Sequence, residues 1–470
     1  MNFKQKAHPY QREGVNLLIN SKSEMLLLPV GFGKTIVALT AAQVLIDAGR
    51  ADRALVLSTR LICRDQWTAE AEDWDDIHLT VGKALGTPAQ RRRGIFGTDQ
   101  VVTMNVENVA WLLDGGCFPP KPARMSAKMT RERSGKALAH LGFDILILDE
   151  SALFKSHSAG RVRSLIAARG GFEYIWGLTG GFMPQNDLTE LWPQYRILDG
   201  GQALGEHFAT YRRRVQSPPP PYKHEWVEIP GARAWAFNRI APITYRVDQA
   251  DAGLDLPERV EVVHKLHMSA AQTELYKRLE KECFVQVGDE EINAVNAAVL
   301  ASKLQQLASG FAYTEEGTID IHQLKVEAYQ DLAESLGGQT KLAVLYWFKE
   351  SRRRLALRDV KEPGTGEAWN LDVCSRMAMQ PKSAGHGLNL QKGKLPVQVL
   401  WYEPTWSAEA DTQAVGRFLR QGYRGGDRVV VHRFVVEGTI EERMLDTLSE
   451  RVDGQLAAMQ AVQKIRENLK

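Results

Sequence analysis

Residues 24–35 read EMLLLPVGFGKT: a short apolar run, then two glycines, a lysine and a threonine. The apolar run predicts a buried strand, and the residues after the threonine have the composition of a helix. Gly31 and Gly33 allow a tight turn that points backbone N–H groups at a phosphate, and the positive end of the helix adds to the attraction. Although Leu28 replaces the first glycine of the usual pattern, the stretch predicts a nucleotide site. Lys34 would contact the β- and γ-phosphates, and the Thr35 hydroxyl would bind Mg²⁺.

A second segment, Ile145–Glu150, reads ILILDE. Four apolar residues followed by two carboxylates predict a buried strand that ends at a metal- and water-binding site. Asp149 would hold Mg²⁺, and Glu150 would orient and activate the attacking water. The alternative is a strand that ends in a solvated acidic turn. A phosphate-binding turn earlier in the same half of the chain favours the first interpretation.

A third segment, Gln413–Gly422, reads QAVGRFLRQG. Arg417 and Arg420 are three residues apart, which predicts that they share one face of a helix. Two guanidinium groups presented in this way can act as arginine fingers on nucleotide phosphates. The alternative is a solvated basic helix face.

Apolar runs like the first recur through the chain, with helical stretches between several of them. In the first half the predicted strands are Met25–Leu28, Ala54–Leu57, Gln100–Thr103, Ile145–Leu148 and Tyr174–Leu178. In the second half they are Leu342–Trp347, Asp372–Ser375, Val397–Tyr402 and Arg428–Phe434. The predicted helices include Lys34–Ala48, Ala294–Leu307 and Ala408–Leu419. Buried parallel strands with crossover helices have this pattern, so the predicted class is α/β, with a break at Pro218–Pro221.

The composition is that of an ordinary globular protein. Of 470 residues, 44% are hydrophobic and 25% are charged, and the formal net charge is +2. A nucleic-acid site must therefore be a local basic patch. We expect no membrane span and no signal segment, because no apolar run is long enough. Four widely separated cysteines exclude a zinc ribbon and a disulfide framework, and they fit a reducing cytoplasm.

The three segments, in this order, resemble the motifs of superfamily-two helicase-like ATPases of the DEAD/DEAH-box type. The resemblance is to the Swi/Snf-related branch found in phages and bacteria. Further segments match that branch: His8–Asn16 (glutamine motif), Leu55–Leu61 (motif Ia), Gly177–Gly180 (motif III), Lys341–Lys349 (motif IV), Ser383–Gln391 (motif V) and Val435–Arg443. The resemblance implies two tandem RecA-like lobes with parallel sheets flanked by helices. It implies an ATP-binding lobe over 1–215, a connector over 216–257 and a C-terminal lobe over 258–470.

The resemblance also implies which residues do what. The ATP-binding residues would be Gln11, Gly31, Phe32, Gly33, Lys34 and Thr35, with Gln11 reading the adenine edge. Thr35 and Asp149 would bind Mg²⁺. The catalytic residues would be Lys34, Glu150, Arg417 and Arg420. The nucleic-acid backbone would contact Thr59 and Arg60 in motif Ia and Ser383, Gly385 and Asn389 in motif V.

The activity implied by the resemblance is that of an ATP-dependent motor that translocates on duplex DNA or remodels it, with RNA left open as a substrate. One alternative is an enzyme that separates strands, which a pin hairpin would support; the sequence does not identify one. The other is an ATP-controlled DNA clamp with weak turnover. Motif III keeps the clamp open as an alternative, because Gly180, Gly181 and Phe182 stand in place of Gly-Thr-Pro. We expect a monomer in the cytoplasm of a bacterial cell or a phage-infected host.

A basic segment over 121–136 lacks apolar periodicity, which predicts a surface loop. Its cations are Lys121, Arg124, Lys128, Arg131, Arg133 and Lys136, against the single carboxylate of Glu132. Such a loop could bind DNA phosphates. The alternative is a solvated insertion.

Overall fold

The computed structural model describes residues 2–118, 126–181, 187–218, 226–247, 252–254, 256–287, 294–360, 362, 364–381, 390–420 and 422–450. Side chains are described in these ranges except over 282–298. The chain divides into two compact units, the first ending at Leu254 and the second beginning at Asp255. None of the described helices is long and apolar enough to cross a membrane.

The first unit is built on a parallel sheet of seven strands. Its strands are β1 (Ser23–Leu27), β2 (Arg53–Ser58), β3 (Val81–Lys83), β4 (Val101–Asn105), β5 (Phe143–Asp149), β6 (Tyr174–Thr179) and β9 (Thr244–Arg246). Their order across the sheet is β3-β4-β2-β5-β6-β1-β9. A small antiparallel pair is formed by β7 (Gln216–Ser217) and β8 (Val227–Glu228).

Eleven named helices belong to the described part of this unit. They are α1 (Phe3–Lys6), α2 (Pro9–Asn20), α3 (Lys34–Asp47), α4 (Trp67–Asp73), α5 (Pro88–Ile95), α6 (Val109–Leu113), α7 (Ala127–His140), α8 (Gly160–Ala168), α9 (Leu191–Asp199), α10 (Phe208–Val215) and α11 (Ala232–Ile240). Every residue of β2 is buried, as expected for a strand covered by helices on both faces. The predicted connector over 216–257 contains α11 and β9, which belong to this unit.

The second unit has a parallel sheet of five strands in the order β10-β16-β15-β13-β14. These strands are β10 (Glu258–Leu266), β13 (Lys341–Leu345), β14 (Arg376–Met379), β15 (Val397–Trp401) and β16 (Arg428–Val436). A separate hairpin joins β11 (Phe311–Thr314) to β12 (Gly317–Asp320). The named helices are α12 (Ala270–Val287), α13 (Ala294–Ala308), α14 (Leu324–Leu336), α15 (Lys349–Leu355), α16 (Thr365–Asn370) and α17 (Ala408–Val415).

The predicted α/β class is confirmed, and most predicted strands and helices lie within a few residues of their observed bounds. The strand predicted over Asp372–Ser375 is wrong, because β14 begins only at Arg376. Asp372 adopts a left-handed backbone conformation, with φ of 60°, and its carboxylate contacts the buried Lys341 Nζ at 2.8 Å. Asp372 therefore lies in a turn that precedes β14 and is not part of the strand.

The loop predicted for the basic segment is also wrong over its described part. Residues 127–140 form α7, and the side chain of Ser126 caps the helix by accepting a hydrogen bond from Met129 N. Arg131 is paired with Asp114 at 2.7 Å, so not every cation of the segment is available to a ligand. Lys121 and Arg124 lie outside the described residues. Of the residues that the helix buries, only Leu138 is a large apolar one, and Thr130, Ser134 and Gly135 are small or polar, which is why apolar periodicity did not reveal the helix.

The packing of α7 against the end of α8 depends on Gly135. A Cβ atom added there would lie 2.3 Å from the Ala168 carbonyl oxygen. A Cβ added at Gly160, the first residue of α8, meets nothing within 4 Å.

We therefore predict that Gly135→Ala lowers the free energy of unfolding by about 1–3 kcal/mol, because the added methyl group overpacks a close backbone contact. Gly160→Ala is the matched control, and it should be neutral or slightly stabilising because alanine favours the helix. Chemical denaturation of both variants checks this. Equal stability of the two variants would contradict the packing described for α7.

Candidate nucleotide site

The turn between β1 and α3 has the backbone that its sequence predicts. Gly31 and Gly33 have φ of 90° and 73°, in the left-handed region that side chains disfavour. Gly33 immediately precedes the first residue of α3. A Cβ at Gly33 would also lie 2.6 Å from the Gln11 side-chain nitrogen. Both glycines are therefore required for the turn to form where it does.

Lys34 lies over this turn at the start of α3. Its Nζ donates hydrogen bonds to the carbonyl oxygens of Leu28 at 2.7 Å and Pro29 at 3.2 Å. Gly180, after β6, approaches closely, because a Cβ there would lie 3.2 Å from Lys34 Nζ. Phosphate oxygens are charged acceptors and would compete well with these two neutral carbonyls.

Gln11 is buried and belongs to the same turn. Its Oε1 accepts a hydrogen bond from His8 N at 2.9 Å, and its Nε2 donates to the Phe32 carbonyl oxygen at 3.2 Å. The Tyr10 hydroxyl donates to the same carbonyl at 3.3 Å, and burial raises the pKa of Tyr10, which keeps it a donor. The glutamine motif thus holds the turn that is predicted to bind phosphate. The role of Gln11 in recognising the adenine base stays a prediction.

The two side chains predicted to bind Mg²⁺ are each held by a neighbouring donor. Asp149 ends β5 and is 6% exposed, and its Oδ2 accepts a hydrogen bond from Trp67 Nε1 at 2.8 Å. The Thr35 hydroxyl accepts one from Gln66 Nε2 at 3.1 Å. A hydroxyl and a carboxylate are hard oxygen ligands of the type Mg²⁺ takes, with water and phosphate completing its shell. The residues present therefore fit this ion.

Glu150 has the strained backbone that is common at functional sites. Its φ is 65°, although it is not glycine. The hydroxyl of Thr179 in motif III lies 3.3 Å from Glu150 Oε1 and donates to the Gly181 carbonyl oxygen at 2.8 Å. Motif III therefore touches the carboxylate predicted to orient water.

The turn after β2 carries the motif Ia residues. Arg60 is exposed and Thr59 is half-buried. The chain then forms a π-helical turn over Ile62–Gln66 that leads directly into α4 and Trp67. Sequence reasoning missed Gln66 and Trp67 as site residues. The signal was weak: a buried tryptophan needs an acceptor for its N–H group, but the sequence does not say which one.

Arg417 and Arg420 do not share a helix face, and that prediction is wrong. The helix α17 ends at Val415, Gly416 is its cap, and both arginines lie in the turn that follows. Arg417 is 6% exposed, and Arg420 Nε donates to the Gly416 carbonyl oxygen at 3.2 Å. Gly416 is right-handed, with φ of −61°, and glycine is a poor helix former, which disfavours continuation of the helix through this position.

The helix α17 is anchored within the second unit by Asp411. Its two carboxylate oxygens each lie 2.7 Å from a guanidinium nitrogen, one from Arg259 on β10 and one from Arg433 on β16. Burial would raise the pKa of Asp411, but Arg433 and Arg259 hold it below its ordinary value. The turn that carries Arg417 and Arg420 therefore follows a helix, α17, that is held to the sheet by ion pairs.

The motif V residues Ser383, Gly385 and Asn389 lie outside the described residues, as does Phe182 of motif III.

A family model described as the SNF2-related domain matches residues 10–312. The chain belongs to the SNF2-related family. Members of this family are helicase-like ATPases, so the chain is an ATP-hydrolysing enzyme. Its two parallel sheets flanked by helices are consistent with RecA-like lobes. The resemblance predicted from the motifs is confirmed.

SNF2-related relatives come from phages, bacteria and eukaryotes. Protein p41 of Acyrthosiphon pisum secondary endosymbiont phage 1 is 28% identical, over 93% of this chain and 94% of its own length. YwqA of Bacillus subtilis, named as an ATP-dependent helicase/translocase, is 23% identical over 94% of this chain and 48% of its own. The CHD3-type chromatin-remodeling factor PICKLE of Arabidopsis thaliana is 22% identical over 95% of this chain and 34% of its own. The chain thus spans half or less of the two longer relatives.

Among solved structures, the Sulfolobus solfataricus SWI2/SNF2 ATPase core in complex with dsDNA covers 98% of this SNF2-related chain and 94% of its own chain. The TM-score is 0.42 and the sequence identity is 16%.

We predict that Glu150→Gln binds ATP with nearly unchanged affinity but loses turnover by about 10²–10⁴-fold, the usual contribution of a general base. The substitution keeps the shape of the side chain and removes only its charge. Glu173→Gln is the matched control, because Glu173 is exposed and precedes β6 at the other edge of the sheet. Fluorescent-nucleotide binding and phosphate release measure both properties. Turnover equal to that of the control would remove Glu150 from this role.

Proposed function

We propose that this chain is a DNA-dependent ATPase that moves along duplex DNA. The observation that carries the proposal is the meeting of three motifs at one edge of the first sheet. The phosphate-binding turn follows β1, Asp149 and Glu150 end β5, and Thr179 ends β6 between them. A nucleotide bound at this edge would lie next to motif III, whose Thr179 contacts the Glu150 carboxylate.

In the proposed reaction, water attacks the γ-phosphate of ATP. The backbone N–H groups around Gly31 and Gly33 and the Lys34 ammonium bind the phosphates, and Thr35 and Asp149 hold Mg²⁺. When bound by these two residues, Mg²⁺ would neutralise charge on the phosphate oxygens. Glu150 accepts a hydrogen bond from the attacking water and orients it. Arg417 and Arg420 are proposed to stabilise charge on the phosphoryl group during transfer.

Duplex DNA is the proposed partner. PICKLE is named as a chromatin-remodeling factor, which supports DNA over RNA, and YwqA is named as a helicase/translocase, which supports a motor on nucleic acid. Exposed Arg60, next to Thr59, suits contact with backbone phosphates, which carry no sequence information. On α7, Arg133 and Lys136 are exposed and add local positive charge, whereas the exposed Lys128 pairs with Glu132 at 3.8 Å. We place the protein in a bacterial or phage-infected cytoplasm, as the origins of p41 and YwqA suggest.

The hairpin of β11 and β12 bears on the strand-separating alternative. A pin that enters between two strands passes close to their phosphates, so a negative tip would be repelled. The turn of this hairpin carries Glu315 and Glu316, and both are exposed. This charge favours a motor that follows the duplex over one that opens it.

The contacts of motif III bear on the clamp alternative. Gly181 lacks a hydroxyl, but its carbonyl oxygen accepts a hydrogen bond from Thr179. The same hydroxyl lies next to Glu150. Because the link between motif III and the carboxylate forms without a hydroxyl at position 181, we expect full turnover.

The proposal is tested by measuring ATP hydrolysis without nucleic acid and with duplex DNA, single-stranded DNA or RNA at matched nucleotide concentration. We expect duplex DNA to stimulate most, because the proposed contacts are to a paired backbone. Lys34→Ala should abolish ATP hydrolysis under all four conditions. That result would show that the measured hydrolysis does not come from a contaminating ATPase. Stimulation by RNA or single strands alone would contradict a duplex motor.

The same assay on Arg420→Ala tests the arginines. Duplex-stimulated turnover should fall by about 10³–10⁵-fold, the usual contribution of an arginine finger, while nucleotide affinity stays close to wild type. Arg424→Ala is the control, since Arg424 is exposed four positions further on. A wild-type ratio of stimulated to basal hydrolysis in Arg420→Ala would leave the second unit without a role in hydrolysis.

A further inference from the structure

A short segment of the first unit joins the proposed DNA-contact turn to the proposed Mg²⁺ ligands. It starts at Thr59 and Arg60, directly after β2, and ends at Gln66 and Trp67. The first two residues are proposed to contact DNA. Gln66 contacts Thr35 and Trp67 contacts Asp149. The sequence motifs do not assign a role to Gln66 or Trp67.

The contacts at the end of the segment are specific. Gln66 Nε2 donates to the Thr35 hydroxyl at 3.1 Å, and Trp67 Nε1 donates to Asp149 Oδ2 at 2.8 Å. Trp67 is fully buried, so its indole ring has little freedom to turn. A buried carboxylate needs such donors, because leaving it without them is costly. Two consecutive residues thus orient both proposed metal ligands.

The middle of the segment is a π-helical turn over Ile62–Gln66. Such turns are rare in proteins overall, but those that occur are often found at functional sites. The turn leads directly into Trp67, the first residue of α4, whose indole N–H donates to Asp149. The local backbone therefore serves the geometry of the site.

The turn is also fixed along its length. Cys63 N donates to the Thr59 carbonyl oxygen at 3.0 Å, and the Thr103 hydroxyl donates to the Cys63 carbonyl oxygen at 2.7 Å. Ile62 and Cys63 are buried. Hydrogen bonds and buried side chains thus hold the chain between Thr59 and residues 66 and 67 in place.

We propose that Gln66 and Trp67 are positioning residues that set the Mg²⁺ ligands Thr35 and Asp149 and couple them, through the π-helical turn, to DNA bound at Thr59 and Arg60. The proposal rests on the proposed function. It assigns to this segment a route from DNA to the metal site that is separate from motif III.

The test uses Trp67→Phe in the full chain. This change keeps an aromatic ring and removes the N–H donor. The readout is the affinity for a fluorescent, non-hydrolysable ATP analogue over a Mg²⁺ titration, with and without duplex DNA. The Mg²⁺ concentration at which the affinity for the analogue reaches half of its full increase should rise by about 10–100-fold. This is the usual effect of losing a group that orients a metal ligand. Duplex DNA should lower that concentration for the wild type and leave it unchanged for the variant.

Trp176→Phe is the matched control. Trp176 is also fully buried, lies on β6 in the same unit, and its Nε1 makes no hydrogen bond to any described residue. It should behave as wild type in the Mg²⁺ titration. If Trp67→Phe does not fold, Gln66→Met replaces it, since Gln66 is half-buried and methionine keeps its length. Gln66→Met should shift the titration in the same direction.

A Trp67→Phe titration that matches Trp176→Phe would overturn the proposal. So would a wild type in which duplex DNA leaves the Mg²⁺ requirement unchanged. Lys34→Ala separates this failure from failure of the proposed function. If Lys34→Ala loses nucleotide binding while Trp67→Phe behaves as the control, only the positioning role is wrong. If Lys34→Ala binds nucleotide normally, the nucleotide site itself is wrong.

Discussion

The parallel register of three adjacent strands is the constraint on which the rest of the site depends. In that register β6 lies between β1 and β5, with Leu27 opposite Thr179 and Leu178 opposite Asp149. Parallel strands end at the same edge of a sheet, so the turns that follow them meet there. The phosphate-binding turn, the acidic pair and motif III are far apart in sequence and become neighbours only through this register. A shift in the pairing would separate Thr179 from Glu150.

The polar groups of the site are stabilised by the same contacts that shape it. Asp149 is buried and accepts a hydrogen bond from Trp67, and Gln11 is buried and donates one to the Phe32 carbonyl in the turn after β1. Buried polar groups are tolerated when each has a partner, and such partners restrict orientation. In the second unit, Asp411 between two arginines plays the same part for the helix that precedes Arg417. Fold stability and site geometry are thus joined in both units.

Much of the fold and part of the site could be predicted from the sequence because their signals are local. The glycines of the phosphate-binding turn and the apolar run before Asp149 each specify a backbone by themselves. The π-helical turn over Ile62–Gln66 could not be predicted, since its extra residue is stabilised by contacts with distant Thr103. The cap of α7 by Ser126 and the end of α17 at Val415 were missed for another reason. Each depends on one short polar or glycine residue inside a segment whose composition suggests something else.

We propose that ATP hydrolysis at the carboxyl ends of the first sheet moves the protein along duplex DNA. Displacement of a third strand from a triplex on a long duplex tests it most directly, because release requires motion along the intact duplex. We expect the wild type to release the third strand in a reaction that needs ATP hydrolysis and leaves the two duplex strands paired, and we expect no release with Glu150→Gln. Duplex-stimulated hydrolysis with the third strand still bound would contradict it, as would separation of the duplex strands.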